Sequence, residues 1–221
     1  HQRCVINQRE VGLDTRSYHN ALVNAMREDP DVLMIGEMRD RETLQQALLY
    51  AQTGHLCLST LHANNSYHAM NRIINFFPRE AREALLADLA ISLKCVISQR
   101  LVRAKGGGRI AAVEVMLNTP HIAELIRKGE MGGIKDAMEQ SLAPGSQTFE
   151  RALYSLYASG QITLDDALAS SDSATNLHWL ITNAGKASPQ APGSGSEQAT
   201  SRAPSGPTDD LSNIKLNLDL V

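Results

Sequence analysis

The sequence predicts an α/β protein, a parallel strand–helix–strand unit followed by a largely helical region. Three observations predict it. Val32-Leu33-Met34-Ile35 is a continuous apolar run, as expected of a strand buried in a parallel sheet. A second apolar run opens at Leu56, and between the two Leu44, Ala47, Leu48 and Ala51 recur at helical spacing. Past Asn65 the helical period dominates. A strand, a helix and a strand in so short a span form a βαβ unit, with both carboxyl ends on one edge.

Each element follows from local chemistry. Residues 15–28 carry Tyr18, Ala21, Leu22, Ala25 and Met26 on one helical face, and Pro30 ends that helix. Val32 to Ile35 is the first strand. Residues 41–52 form the next helix, stopped by Thr53-Gly54. Leu56 to Leu61 is the second strand. Residues 66–77 and 80–98 are expected as helices separated by Pro78. Gln99 to Val102 and Ile110 to Leu117 are expected as strands around the turn "AKGGGR". Helices follow over 120–128, 132–140, 147–158, 163–170 and 174–182, packing beside the sheet rather than extending it.

This pattern divides the chain into an α/β part over 1–118, a helical region over 119–183 and a tail over 184–221. The tail is dominated by Ser, Pro, Gly, Ala and Thr. Such a composition cannot bury enough apolar area to offset its ordering entropy, so the tail is expected to be disordered. Its end alternates Ile214, Leu216, Leu218 and Leu220, a pattern that a sheet edge could accept, although a frayed terminus is the plainer reading.

Composition narrows the function. Net charge is −3, which gives no general electrostatic grip on nucleic acid, so no nucleic-acid partner is expected. The longest apolar stretch, Ala84 to Ile97, is broken by Asp88 and Lys94 and is too short to cross a bilayer, so no membrane insertion is expected. Cys4, Cys57 and Cys95 form no C-x-x-C, which supports neither a disulfide framework nor a cysteine zinc site. Buried, reduced thiols in a cytosolic protein are expected instead. His rather than Met at position 1 reads as the mark of a fragment.

The chemistry gathers at the strand ends. Ligands of open α/β sheets sit beyond the carboxyl ends of the strands. Glu37, in "GEMRD", lies just past the first end, and His62, in "STLHANN", just past the second. An apolar strand ending in an acid is the Walker B arrangement, in which the acid serves Mg²⁺ or polarises an attacking water. His62 is then placed to sense or stabilise a γ-phosphate. An acid in this position often only caps a helix; here Asp40 can do that, which leaves Glu37 unexplained. His55 lies at the start of the second strand, away from that edge unless it serves a neighbouring subunit. Zinc held by His55 and His62 is disfavoured, because the two point to opposite strand faces and no Cys joins them. No metal ligands are assigned. A phosphate loop, G-x-x-x-x-G-K-S/T, is absent from all 221 residues.

"NQREVG" (7–12), "DPDVLMIGEMRD" (29–40), "TGHLCLSTLHANN" (53–65) and "RIINFFP" (72–78) together resemble the secretion-type ATPases of type IV pili, retraction branch. "NTPHIAELIRKGE" and "QTFERALYSLYASGQI" continue the likeness, which covers residues 1–181. The resemblance implies the C-terminal part of a RecA-like P-loop NTPase core, with the helical region following, assembled as a homo-hexamer. It implies ATP and Mg²⁺ as substrate and cofactor, Glu37 and His62 as catalytic residues, and Arg39, Thr53, Gly54 and His55 as nucleotide-binding residues. It places the phosphate loop upstream of His1, so that this chain alone is inactive. The implied partners are a paralogous retraction ATPase and an inner-membrane pilus platform protein, at the cytoplasmic face of that membrane. Extension ATPases of the superfamily usually carry a tetracysteine module after the "QRL" element; here no Cys follows Arg100, which favours retraction. "ANNSYHAMNRIINFFP" and the long tail resemble the accessory member of the retraction pair more than its main motor.

Overall fold

The computed structural model describes residues 3–141 and 143–184. The tail beyond Ala184, with its expected disorder and its alternating end, lies outside the described residues.

Capping residues start most of the helices. Ser17, Asp40, Asn65, Thr119, Thr148 and Thr163 each accept a main-chain N–H three residues on, satisfying a donor that the first helical turn cannot. The first helix, α1, spans Tyr18–Ala25 and tightens into a 3-10 turn over Met26–Glu28. Asp29 then turns left-handed (φ 49°) and Pro30 blocks any continuation.

Strand β1 (Val32–Ile35) pairs in parallel with β2 (Leu56–Ser59), Val32 opposite Leu56 and Ile35 opposite Ser59. Between them, α2 (Arg41–Gln52) ends at Thr53, and Gly54 takes φ +99°, a conformation that a Cβ would strain. One small core joins α1, β1 and α2 through Leu22, Ile35, Ala47 and Tyr50.

The larger core is helical. It joins α3 (Ser66–Asn75), α4 (Arg82–Ser92), α5 (Pro120–Lys128) and α6 (Ile134–Gln140) around Met70, Ile122, Ile126 and Ile134, all fully buried. Each such side chain stabilises the fold by about 1.5–3 kcal/mol relative to exposure. Strand β3 (Cys95–Arg103) and strand β4 (Arg109–Leu117) form an antiparallel hairpin, turned by Gly107 and Gly108 at positive φ. Met116 of β4 enters the same core as Leu44 of α2 and Ile126 of α5, so residues on both sides of position 118 share one interior. A third cluster, Val102, Phe149, Leu153, Ile162 and Leu177, seats α7 (Phe149–Ala158), α8 (Leu164–Ser170) and α9 (Ala174–Ala184) against the hairpin.

Several expectations need correcting. β1 is not buried on both faces: Val32 and Met34 are 51% and 63% exposed, while Ile35 is buried. Among the described residues, α1 and α2 cover one face of the strand pair only, and alternation follows from the period of two. β2 stops at Ser59 rather than Leu61. The helix expected over 80–98 ends at Ser92; Leu93 is already extended and Cys95 begins β3. The β-branched pair Val96-Ile97 meets Met116 and Val115 across the hairpin, and that pairing overrides the helical period. Cys4 and Cys95 are exposed and only Cys57 is partly buried, its thiol pKa pushed up by burial.

Candidate functional site

The ends of β1 and β2 are tied together by two hydrogen bonds. Met38 N–H donates to the Thr60 carbonyl at 3.1 Å, and the Thr60 hydroxyl donates to the Gly36 carbonyl. Glu37 is thereby held beside the segment that carries His62. Its Oε1 lies 3.3 Å from His62 Nε2, and Arg39 Nε donates to its Oε2 at 2.6 Å.

Asp40 has a different job. Its Oδ1 accepts the Thr43 N–H at 2.8 Å, the N-cap of α2. The fold therefore accounts for Asp40 and leaves Glu37 available. The Arg39 bond holds the Glu37 carboxyl below the ordinary carboxylate range; partial burial opposes this, and the charges of Arg39, His62 and Arg72 add to the lowering. Glu37 is thus an ionised acceptor at neutral pH. Its side chain is only 15% exposed, whereas the His62 side chain is 79% exposed. The pair combines a largely buried carboxylate with an exposed imidazole.

Thr53, Gly54 and His55 do not join this edge. They form the turn into the opposite end of β2. The Thr53 hydroxyl donates to the Tyr50 carbonyl at 3.0 Å, and His55 Nδ1 lies 3.0 Å from that hydroxyl. The His55 ring meets Tyr50 edge-on, 6.2 Å between centroids. Of the six anticipated site residues, Glu37, Arg39 and His62 converge and the other three lie together elsewhere.

Among the described residues no group of three or more His, Cys, Asp or Glu is placed to hold a metal. One edge carboxylate fits Mg²⁺ all the same, because that ion keeps several waters and takes the remaining ligands from phosphates. Sequence reasoning missed two contributors. Thr60 lies within "STLHANN", but nothing local showed that its hydroxyl would reach the end of β1. Arg72 opens "RIINFFP", but its approach to Glu37 depends on how α3 packs.

The comparisons agree with this architecture. The family described as "Type II/IV secretion system protein" matches residues 5–168, and the chain belongs to that family. Within it, the chain is similar to the type IV pilus ATPases. It is 53% identical over 182 residues to "Type IV pilus ATPase PilU" of Pseudomonas aeruginosa, covering 82% of this chain and 48% of that protein. It is 42% identical over 166 residues to "Type IV pilus retractation ATPase PilT" of the same organism, covering 75% and 48%. The crystal structure of the pilus retraction motor PilT with bound ADP superposes with a TM-score of 0.72 at 42% identity, over 79% of this chain and 49% of that one. The chain spans about half the length of the curated relatives that it matches. Both the family resemblance and the α/β secretion-ATPase fold expected from sequence are borne out.

Proposed function

We propose that the whole protein is an ATPase motor subunit that powers type IV pilus retraction, and that Glu37 and His62 act at its hydrolytic edge. The observation that carries this reading is the convergence of those two side chains at the shared end of two parallel strands. A water seated by Glu37 attacks the γ-phosphorus of ATP. Its proton passes to the carboxylate as the bond from that phosphorus to the β–γ bridging oxygen breaks, and ADP leaves with the electron pair. His62, the exposed partner, donates to the charge that develops on the γ-phosphoryl oxygens. Glu37 is the residue here that would hold Mg²⁺, and the ion, when bound, would neutralise phosphate charge at this edge. The Arg39–Glu37 pair is the resting arrangement; Arg39 is largely exposed and can turn to a phosphate oxygen.

The phosphate loop is supplied from residues preceding this sequence, and Thr53, Gly54 and His55 face a nucleotide from a neighbouring subunit of a hexameric ring. ATP then favours closed interfaces and ADP open ones, and that difference in affinity is what can do work. A paralogous retraction ATPase and an inner-membrane platform protein complete the machine at the cytoplasmic face. The lack of cysteine after Arg100 and the likeness to PilU and PilT support retraction over assembly.

Imaging of labelled pili in cells tests the reading. With Glu37→Gln in the chromosomal gene, retraction events should fall in number or force while extension continues. Retraction of normal frequency and force would overturn it.

A further inference from the structure

His62 is mostly exposed, and among the described residues its one polar partner is Glu37. Thr60 ties down the chain before it, and the chain after it is tied down as well. Three consecutive residues there are each bonded to a different element. The Asn64 carbonyl accepts Arg100 Nη2 at 3.1 Å, from β3. Asn65 Nδ2 donates to Asp172 Oδ2 at 2.9 Å, in the link between α8 and α9, while Asn65 Oδ1 caps α3. Ser66 N–H donates to Glu114 Oε1 at 2.7 Å, from β4.

Arg100 and Asp172 form an ion pair, with side chains 22% and 24% exposed. The guanidinium also donates to the Ser170 carbonyl at 2.8 Å and lies 4.0 Å from the centre of the Phe149 ring. Buried Glu150 accepts Ser173 N–H at 3.0 Å and Lys135 Nζ at 2.7 Å, which fixes the residue next to Asp172. The first two residues of α7 therefore hold both halves of the pair, Phe149 beneath the arginine and Glu150 behind the aspartate.

We infer that Arg100 and Asp172 are positioning residues for His62, clamping the Asn64 carbonyl and the Asn65 side chain so that the packing of the C-terminal helices sets the imidazole against Glu37. This rests on the reading that His62 serves hydrolysis. Neither residue touches the hydrolytic edge. A guanidinium that serves Asn64, Ser170 and Asp172 at once cannot be replaced by the single point charge of lysine. Movement of α7–α9 would loosen the clamp and slow the chemistry without altering nucleotide contacts.

The test is a double-mutant cycle in the full-length protein, reading kcat and KM for ATP. Asp172→Asn and Asn65→Asp are the variants; the second keeps a good α3 cap but sets like charges against each other. Each should lower kcat about tenfold or more with KM unchanged. In a His62→Ala background each should cost nothing further, because the side chain being positioned is gone. Additive losses in that background, or normal kcat in both single variants, would overturn the clamp while leaving the role of His62 standing. A normal kcat for His62→Ala would instead remove His62 from the reaction, and the clamp with it.

Discussion

His62 Nε2 stands 3.3 Å from Glu37 Oε1, although the two residues reach that point from separate parallel strands and lie 25 positions apart in the chain. The contact exists because β1 and β2 pair in register and because Thr60 binds the loop that follows β1. A carboxylate and an imidazole meeting at a sheet edge need no packing role there. Asp40, three residues from Glu37, shows the contrast, since its carboxylate is consumed by the α2 cap.

That contrast can be separated by stability. Asp40→Ala should cost about 0.5–2 kcal/mol of unfolding free energy, whereas Asp40→Asn, which still caps, should cost little. Urea unfolding of this chain measures both. Equal losses in the two variants would mean that Asp40 acts by its charge and not by its cap.

Arg39 is the leading cause of the low Glu37 pKa. Removing it with Arg39→Ala should bring the carboxyl back toward the ordinary range, moving the acid limb of kcat/KM for ATP hydrolysis to higher pH. The lowered Glu37 pKa stabilises the fold above the unfolded carboxylate pKa, a contribution lost as pH falls through the folded value; Arg39→Ala should remove it. An acid limb that does not move would place some other group in control.

Glu114 has the opposite sign. Burial pushes its carboxyl up, and the bonds from Ser66 only partly oppose this. The folded state keeps the proton at a pH where the unfolded chain has released it. Stability is therefore lost as pH rises from the ordinary carboxylate range through the folded value. Glu114→Gln keeps an acceptor for Ser66 N–H and should flatten that slope; unfolding midpoints between about pH 4 and pH 8 check it.

The 221 residues contain no phosphate-loop motif, and an edge carboxylate cannot cradle a triphosphate alone. This chain by itself should give no tight ATP binding in calorimetry and no turnover. Micromolar affinity would show that phosphate recognition is built from residues other than that loop.

Much of the site was legible because it rests on local signals. The limits of β1 and α2 follow from an apolar run, a capping acid and the Thr53-Gly54 stop, each a local signal. The burial of β1 was misread because continuous apolarity states what a strand can pack against, while the described residues cover one of its faces. The start of β3 was misread because Val96 and Ile97 suit a helical stripe as well as a strand, and only β4, some twenty residues on, decides. The pairing of Arg100 with Asp172 left no local trace, because the contact spans 72 positions.

The most direct measurement is single-turnover hydrolysis of bound ATP by the full-length Glu37→Gln protein, with ATP affinity measured alongside. The expected result is unchanged affinity with hydrolysis slowed at least about a hundredfold, the scale of a lost general base. Hydrolysis at the wild-type rate would contradict the assignment of Glu37 and the role given to this edge.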